Sequence, residues 1–300
     1  MATIFEPPGD LGAQFRSLLA SGRTTMVPGA FSPLAAIQAR EAGFECVYFS
    51  GAAFSASMGM PDLGLFTLTE LSGAVRKLVA ASRLPVIVDV DTGFGEALNV
   101  ARTVRELEDA GAAAIQIEDQ QMPKKCGHLE GKQLIPAEEM AEKVSAAVKV
   151  RRGLSIVART DARAVEGMDR AIARARLYRE AGADVVFPEA LQSQDEFGLF
   201  AREVKGPLLA NMTEFGKSPL LGVQRLSELG YRLAIYPVSA LRIAARAVER
   251  FYQELKAHGG QAEMVPEMLT RDELYRLIDY QGYVGFDAGL KRKDQQGGDR

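Results

Sequence analysis

Along the chain, short runs of β-branched and other apolar residues alternate with longer stretches whose apolar positions recur at helical spacing. Eight short runs stand out: TTMVPG (24–29), ECVYFS (45–50), PVIVDVD (85–91), AAIQIED (113–119), LSIVART (154–160), DVVFPE (184–189), PLLANM (207–212) and RLAIYP (232–237). Between them lie SPLAAIQAREAG, LTELSGAVRKLVAASR, ALNVARTVRELEDAG and GMDRAIARARLYREAG. Several of these close on Ala-Gly, a helix stop, because glycine tolerates the left-handed position after the last turn. Strands that are nearly continuous in Val, Ile and Leu are buried on both faces, which predicts a parallel sheet covered by helices. Eight units over roughly 215 residues fit a (β/α)₈ barrel of TIM type, an α/β fold built as one domain. A doubly wound open sheet is the competing fold. It ranks second because no Gly-x-Gly-x-x-Gly follows the first run.

Beyond the last run, SALRIAARAVERFYQELKAHG reads as one long helix. EMVPEMLTRDELYRLIDYQGY follows, with a helix start at its threonine and aspartate. A C-terminal helical extension over about 239–285 is expected, and a disordered polar tail, KRKDQQGGDR, over about 291–300.

A barrel of this kind carries its chemistry at the C-terminal ends of its strands. Those ends hold Tyr48 and Ser50, Asp89 and Asp91, Glu118 and Asp119, Arg159 and Asp161, Glu189, and Asn211 with Thr213. Strand ends turn polar wherever loops begin, which explains one or two cases. It explains six poorly, since carboxylates and arginines avoid apolar strands. Asp89 and Asp91 are two apart on a predicted strand, so they share a face and repel unless a cation lies between them. A hard divalent ion such as Mg²⁺, held by one or two carboxylates with water, answers that repulsion, and Glu118 can complete its shell. Salt bridging to arginines is the structural alternative. With only two histidines in the chain, zinc is disfavoured. His258, near the end of a late helix, reads as a surface residue.

Composition removes other classes. The 300 residues are 47% hydrophobic and 25% charged, with a net charge of −3, so a large core is available and no polyanion partner is indicated. No apolar run approaches membrane-spanning length, and the first residues lack a signal-like apolar stretch. Two cysteines, Cys46 and Cys126, offer at most one bridge, so a reduced cytoplasmic protein without nucleic-acid or membrane partners is expected.

One stretch remains, KKCGH (124–128), inside EDQQMPKKCGHLEGKQLIP. No second cysteine or histidine stands at a metal-ligand spacing, which argues against zinc. Two neighbouring ammonium groups are expected to favour the thiolate and make Cys126 available for proton transfer. Gly127 lets the backbone approach closely. An inert loop cysteine is the plain alternative, but the loop from 119 to 136 is long and polar, like an active-site lid. Cys46 reads as structural.

Taken together, KKCGH, SGA after YF, VDVDTGFG, IEDQ, VARTDA, FPEA and LANMTEFG resemble the isocitrate lyase and phosphoenolpyruvate mutase superfamily, from about residue 12 to 285. FPEALQSQDEF, LANMTEFGKSPL, YPVSALR and LTRDELY resemble its 2-methylisocitrate lyase subgroup. The resemblance implies Mg²⁺-dependent cleavage of 2-methylisocitrate to pyruvate and succinate, in propionate breakdown, with Mn²⁺ able to substitute. It implies that Tyr48 is the base, that Asp89 and Asp91 hold the metal shell with Asp62 near the ion, and that Cys126 protonates the succinate fragment. Lys124 would stabilise the developing charge, and His128, with lid closure, would balance the acidity of the thiol. Ser50, Gly51, Ala52, Gly127, Arg159, Glu189, Asn211, Thr213, Arg242 and Arg271 fall on substrate-binding positions. Relatives often carry glycine where this chain has Ala52. A homotetramer, a dimer of helix-swapped dimers, is implied as well. Lyases for isocitrate, 2,3-dimethylmalate or another alkylmalate, a phosphonate mutase and a non-catalytic metabolite-binding barrel are the alternatives.

Overall fold

The structure is a computed structural model describing residues 9–296, with residues 291–296 described by backbone alone. The chain forms two compact units, one from Asp10 to Leu241 and a C-terminal one beginning at Arg242.

All eight expected strands form in the first unit: β1 (Thr25–Pro28), β2 (Val47–Phe49), β3 (Val86–Asp89), β4 (Ala114–Glu118), β5 (Ser155–Thr160), β6 (Val185–Pro188), β7 (Leu209–Asn211) and β8 (Leu233–Tyr236). They are parallel, in the ring order of the sequence. One continuous arc runs from β2 to β6 and another joins β7, β8 and β1. Parallel bridges Gly29–Tyr48 and Val186–Leu208 link the arcs and close the barrel. Closure in register puts the last residues of every strand at one mouth, with Glu118 beside Arg159 and Asp89 beside Gln116. Cys46 lies just before β2, not within it, and is fully buried.

Helices α1 (Leu11–Ala20), α2 (Pro33–Glu41), α3 (Gly51–Ser57), α4 (Leu68–Ser82), α5 (Ala97–Asp109), α6 (Ala137–Val150), α7 (Ala162–Val165), α8 (Met168–Glu180), α9 (Gln194–Glu203) and α10 (Val223–Glu228) alternate with the strands. The local chemistry is plain at α4, where Thr67 and Glu70 form a capping box that satisfies two orphan N–H groups. The Ala-Gly stops behave as expected, with Gly43, Gly111 and Gly182 all left-handed. Val86, Ile87 and Val88 of β3 are fully buried, as a strand covered on both faces requires.

The second unit holds most of α11 (Ser239–His258), a 3₁₀ turn (Ala262–Glu267), α12 (Arg271–Leu277) and α13 (Tyr280–Gln296). Thr270 caps α12 with Glu273 as its capping-box partner. Helix α13 continues to Gln296, through part of the tail expected to be disordered, because LKRKDQQ consists mainly of good helix formers. Residues 297–300 of that tail lie outside the described range. No described helix is long and apolar enough to cross a membrane.

Candidate active site at the barrel mouth

The polar strand ends read from the sequence do converge below the surface: Tyr48, Ser50, Asp89, Asp91, Glu118, Asp119, Arg159, Asp161, Glu189, Asn211 and Thr213 are all buried. The pairing of Asp89 and Asp91 has a different cause from the one expected. Strand β3 ends at Asp89, and Asp91 sits beyond it with a left-handed φ of 49°, so strand alternation does not align them. The turn brings them together instead. The Asp91 N–H donates to Asp89 Oδ1 at 3.2 Å, and the Gly51 N–H donates to Asp89 Oδ2 at 3.1 Å. A side chain at Gly51 would begin 3.2 Å from both carboxylates, so glycine there lets α3 start against them.

Lys124 reaches from the lid into this cluster. Its ammonium is 2.8 Å from Asp91 Oδ1 and bonds Asp62. Lys125 donates to the Gly131 carbonyl at 3.0 Å. Both ammonium groups of the lysines preceding Cys126 are thus engaged elsewhere, and the Cys126 side chain is exposed.

Arg159 organises the other half of the mouth. Asp161 grips its Nε and Nη2 at 2.9 and 3.1 Å, and its Nη1 stands 3.2 Å from Glu118 and 3.3 Å from Glu189. Asn211 donates to both oxygens of Glu189 at 3.3 and 3.2 Å, leaving Asn211 Oδ1 buried without a partner. His128 Nε2 lies 3.1 Å from Glu189 Oε1, while the Lys217 N–H donates to His128 Nδ1 at 2.9 Å. With Nδ1 accepting, the proton of the neutral ring belongs on Nε2, facing the carboxylate. Gly127 packs beside them. A Cβ there would stand 2.4 Å from Arg159 Nη2 and Glu189 Cγ, so only glycine fits.

The electrostatics follow from burial and sign. Burial pushes Asp89 up and takes Asp91 to about 7, against the pull of Lys124. Burial likewise raises Glu118 well above the carboxylate range, although Arg159 opposes it. Glu189 goes the other way: burial disfavours its charge, but Arg159, then His128 and Asn211, hold it down at about 2. Burial, then the Asp89 charge, raises the Tyr48 phenol, and its hydroxyl donates to Gln116 Oε1 at 2.5 Å.

Do these residues fit a divalent cation? Glu118 Oε1 is buried without a hydrogen-bond partner, and Asp89, Asp91 and Glu118 all resist ionising without added positive charge. Among the described residues, no three His, Cys, Asp or Glu side chains form a ready-made metal cage. Of the expected set, Asp62 and Asp91 share the Lys124 ammonium, and Glu118 Oε2 stands 3.2 Å from Arg159 Nη1. One or two carboxylates with retained water, the usual Mg²⁺ arrangement, does fit.

Ser50 accepts from the Ala53 N–H at 3.3 Å and caps α3, and Ala52 follows Gly51 in its first turn. Arg242 and Arg271 belong to the C-terminal unit, in α11 and at the first position of α12. His258 is exposed there, as expected. Sequence reasoning missed Gln116 and Lys132. Gln116 is the lone amide in the apolar run AAIQIED and is fully buried, with Nε2 unpartnered, a signal visible in the sequence. Lys132, in EGKQL, gives no such signal.

Comparison with known proteins decides the lineage. A family model described as phosphoenolpyruvate phosphomutase matches residues 15–256. The chain belongs to that family. Within it, 2-methylisocitrate lyase of Aeropyrum pernix is 52% identical over 297 residues, covering 99% of this chain and 96% of that one. Among solved structures of the phosphoenolpyruvate phosphomutase fold, a 2,3-dimethylmalate lyase, itself a member of the PEP mutase/isocitrate lyase superfamily, superposes with a TM-score of 0.86. It is 33% identical and covers 97% of each chain. A phosphonopyruvate hydrolase in complex with oxalate and Mg²⁺ also superposes at 0.86, with 30% identity over 93% of this chain and 99% of that one.

Proposed function

We propose that this protein is a Mg²⁺-dependent carbon–carbon lyase that cleaves 2-methylisocitrate into pyruvate and succinate, as part of propionate breakdown. One observation carries the reading: the segment bearing Cys126 and His128 folds over Glu189 and Arg159 beside the Asp89–Asp91 cluster, in a chain similar nearly end to end to a 2-methylisocitrate lyase.

The reaction makes four demands. The substrate hydroxyl loses its proton, the carbon–carbon bond breaks as the pyruvate ketone forms, the electron pair passes to the succinate fragment, and that carbon is protonated. Asp89 and Asp91, with Glu118 Oε1 and Asp62 at hand, would hold a divalent ion, which would supply Lewis acidity toward the hydroxyl oxygen. Tyr48 is the proposed base. Its buried phenol holds its proton among Asp89, Glu118 and Glu189, so positive charge at the mouth must prevail before it releases that proton and, as the phenolate, takes the one from the substrate hydroxyl.

Carboxylate recognition falls to Arg159, whose plane is fixed by Asp161, with Ser50 offering its hydroxyl hydrogen and Gly51 and Ala52 shaping the adjacent backbone. Asn211, Thr213 and Glu189 complete the wall, and Arg242 and Arg271 are proposed to engage the remaining carboxylates. Cys126 donates the final proton, while His128 anchors the lid through Glu189 and Lys217. Lys124 brings positive charge into the acid cluster, where it would stabilise developing negative charge. A (β/α)₈ domain carrying C-terminal helices, acting as a cytoplasmic homotetramer of helix-swapped dimers, completes the proposal. The exposed apolar residues Ile243, Val248 and Tyr252 on α11 support association.

The test is the release of pyruvate and glyoxylate measured side by side from 2-methylisocitrate, isocitrate and 2,3-dimethylmalate. The highest kcat/KM is expected on 2-methylisocitrate, with isocitrate weaker, although one methyl group adds only about 1–3 kcal/mol of discrimination. A dimethylmalate rate above the methylisocitrate rate overturns the substrate and leaves the lyase class standing.

A further inference from the structure

The lid lies over the mouth by more than its own packing. Its base is closed by the antiparallel bridge between Gln120 and Leu134, and by the Gln121 N–H donating to the Gln133 carbonyl at 2.8 Å. At its near end, the Gln120 side chain clamps the Lys125 backbone on both sides, at 2.9 Å each. The far limb contributes one deeply buried cation, Lys132. Its ammonium donates to the Gly127 carbonyl, inside KKCGH, and to Asp161 Oδ1 at 3.0 Å, and its side chain is almost wholly buried.

Asp161 is also the carboxylate that grips Arg159 through Nε and Nη2. One of its oxygens, Oδ1, serves Lys132 and Arg159 together. The carboxylate is itself fixed from below, because the Asp161 N–H donates to Asp119 Oδ1 at 2.9 Å, and Asp119 Oδ2 accepts from Tyr178 at 2.8 Å. A rigid carboxylate thus holds two things at once: the direction of Arg159 and, through Lys132, the backbone of Gly127. Gly127 in turn packs too closely on Arg159 and Glu189 to admit a Cβ.

We infer that Lys132 is a positioning residue that ties the KKCGH segment of the lid to Asp161, so that lid closure and the aim of Arg159 are set by one shared carboxylate. Lys132 does not touch the reacting atoms. It acts through Gly127 on the neighbouring Cys126 and His128. A surface lysine would merely add charge, whereas a buried ammonium is retained only where its donors are matched, as they are here by a carbonyl and a carboxylate. The tie rests on no choice of substrate, although its consequence for turnover rests on the lyase reading above.

The test measures amide hydrogen exchange of the full-length protein, comparing lid residues 121–135 with strands β3 to β5 in the same sample. Lys132→Met is expected to speed exchange in the lid on the order of ten- to a hundredfold, the span for losing hydrogen bonds from a charged donor, while the strands keep their protection. Lys132→Arg is expected to recover part of that protection. Should Lys132→Met fail to fold, Lys132→Gln, which keeps a donor without the charge, carries the same comparison with a smaller shift. Exchange in the lid that stays at the wild-type rate in a folded variant, or that rises only in step with the strands, overturns the inference. Because no substrate is added, that failure is separate from any failure of the methylisocitrate assay.

Discussion

The β3–β5 side of the mouth and the lid above it hold their functional groups by opposite means. Asp89, Glu118 and Arg159 lie within or at the end of strands whose register is fixed by a continuous parallel ladder. Their positions come from the backbone, and their side chains are buried wherever the sheet puts them. The lid from Gln121 to Gln133 has only a short backbone closure at its base and one internal turn, and relies for the rest on side-chain bonds from Gln120, Lys124, His128 and Lys132. A scaffold that cannot move supplies charge, and a segment held by a few polar contacts supplies the groups that must come and go with substrate. Loss of function should therefore arise differently in the two regions: on the scaffold by altering charge, on the lid by altering position.

The largest effect is expected at the thiol. Cys126→Ser should fold and bind substrate yet lose roughly 10²–10⁴-fold in kcat, the usual range for loss of a general acid, because a serine hydroxyl is a far poorer acid. Cys46→Ser, at a fully buried site just before β2, should change stability alone. Measuring kcat and thermal midpoint for both variants checks the contrast, and full activity in Cys126→Ser would return the proton to another group. Glu130 and His128 would be tested next.

On the scaffold, Asp89→Asn removes charge while keeping shape. It should raise the Mg²⁺ concentration needed for half-maximal rate sharply, at little cost in stability, since the buried carboxylate is already disfavoured. A purely structural pair would show the reverse, with a lower thermal midpoint and an unchanged metal requirement.

Gly127→Ala sharpens the comparison from the lid side. The added methyl cannot fit beside Arg159 and Glu189, so the lid must lift by a fraction of an ångström or more. A misplacement near 1 Å costs about 10²-fold, and the loss should fall on kcat/KM while the barrel keeps its thermal midpoint.

How much of this was legible in the chain depends on how far apart the partners lie. The eight strands and the acids at their ends were readable because period and composition are local signals. The closeness of Asp89 and Asp91 was anticipated for the wrong reason, since a left-handed turn residue is not visible in VDVD. Lys124 was read as a neighbour of Cys126, yet it points to Asp62, 62 positions away, and to Asp91. Lys132 was unreadable for the same reason: its worth comes from Asp161, on another loop, and no local pattern marks a lysine that will be buried.

The smallest predicted effect concerns acid stability. Glu189 is held at about 2 in the folded protein, below its unfolded value, so its stabilising contribution is complete above the ordinary carboxylate range. It is lost as pH falls from there toward 2. Glu189→Gln should flatten that part of the stability curve, measured by denaturant unfolding between pH 5 and 2.

The central claim is that the Asp89–Asp91 cluster beneath the KKCGH lid cleaves 2-methylisocitrate with a divalent ion. The most direct measurement strips the protein with a chelator, adds back Mg²⁺ in steps, and follows pyruvate and succinate together from 2-methylisocitrate. Both products should appear in equal amounts, at a rate that rises from near zero and saturates with added metal. Equal rates in chelator and in Mg²⁺, or no pyruvate under either condition, would contradict the account.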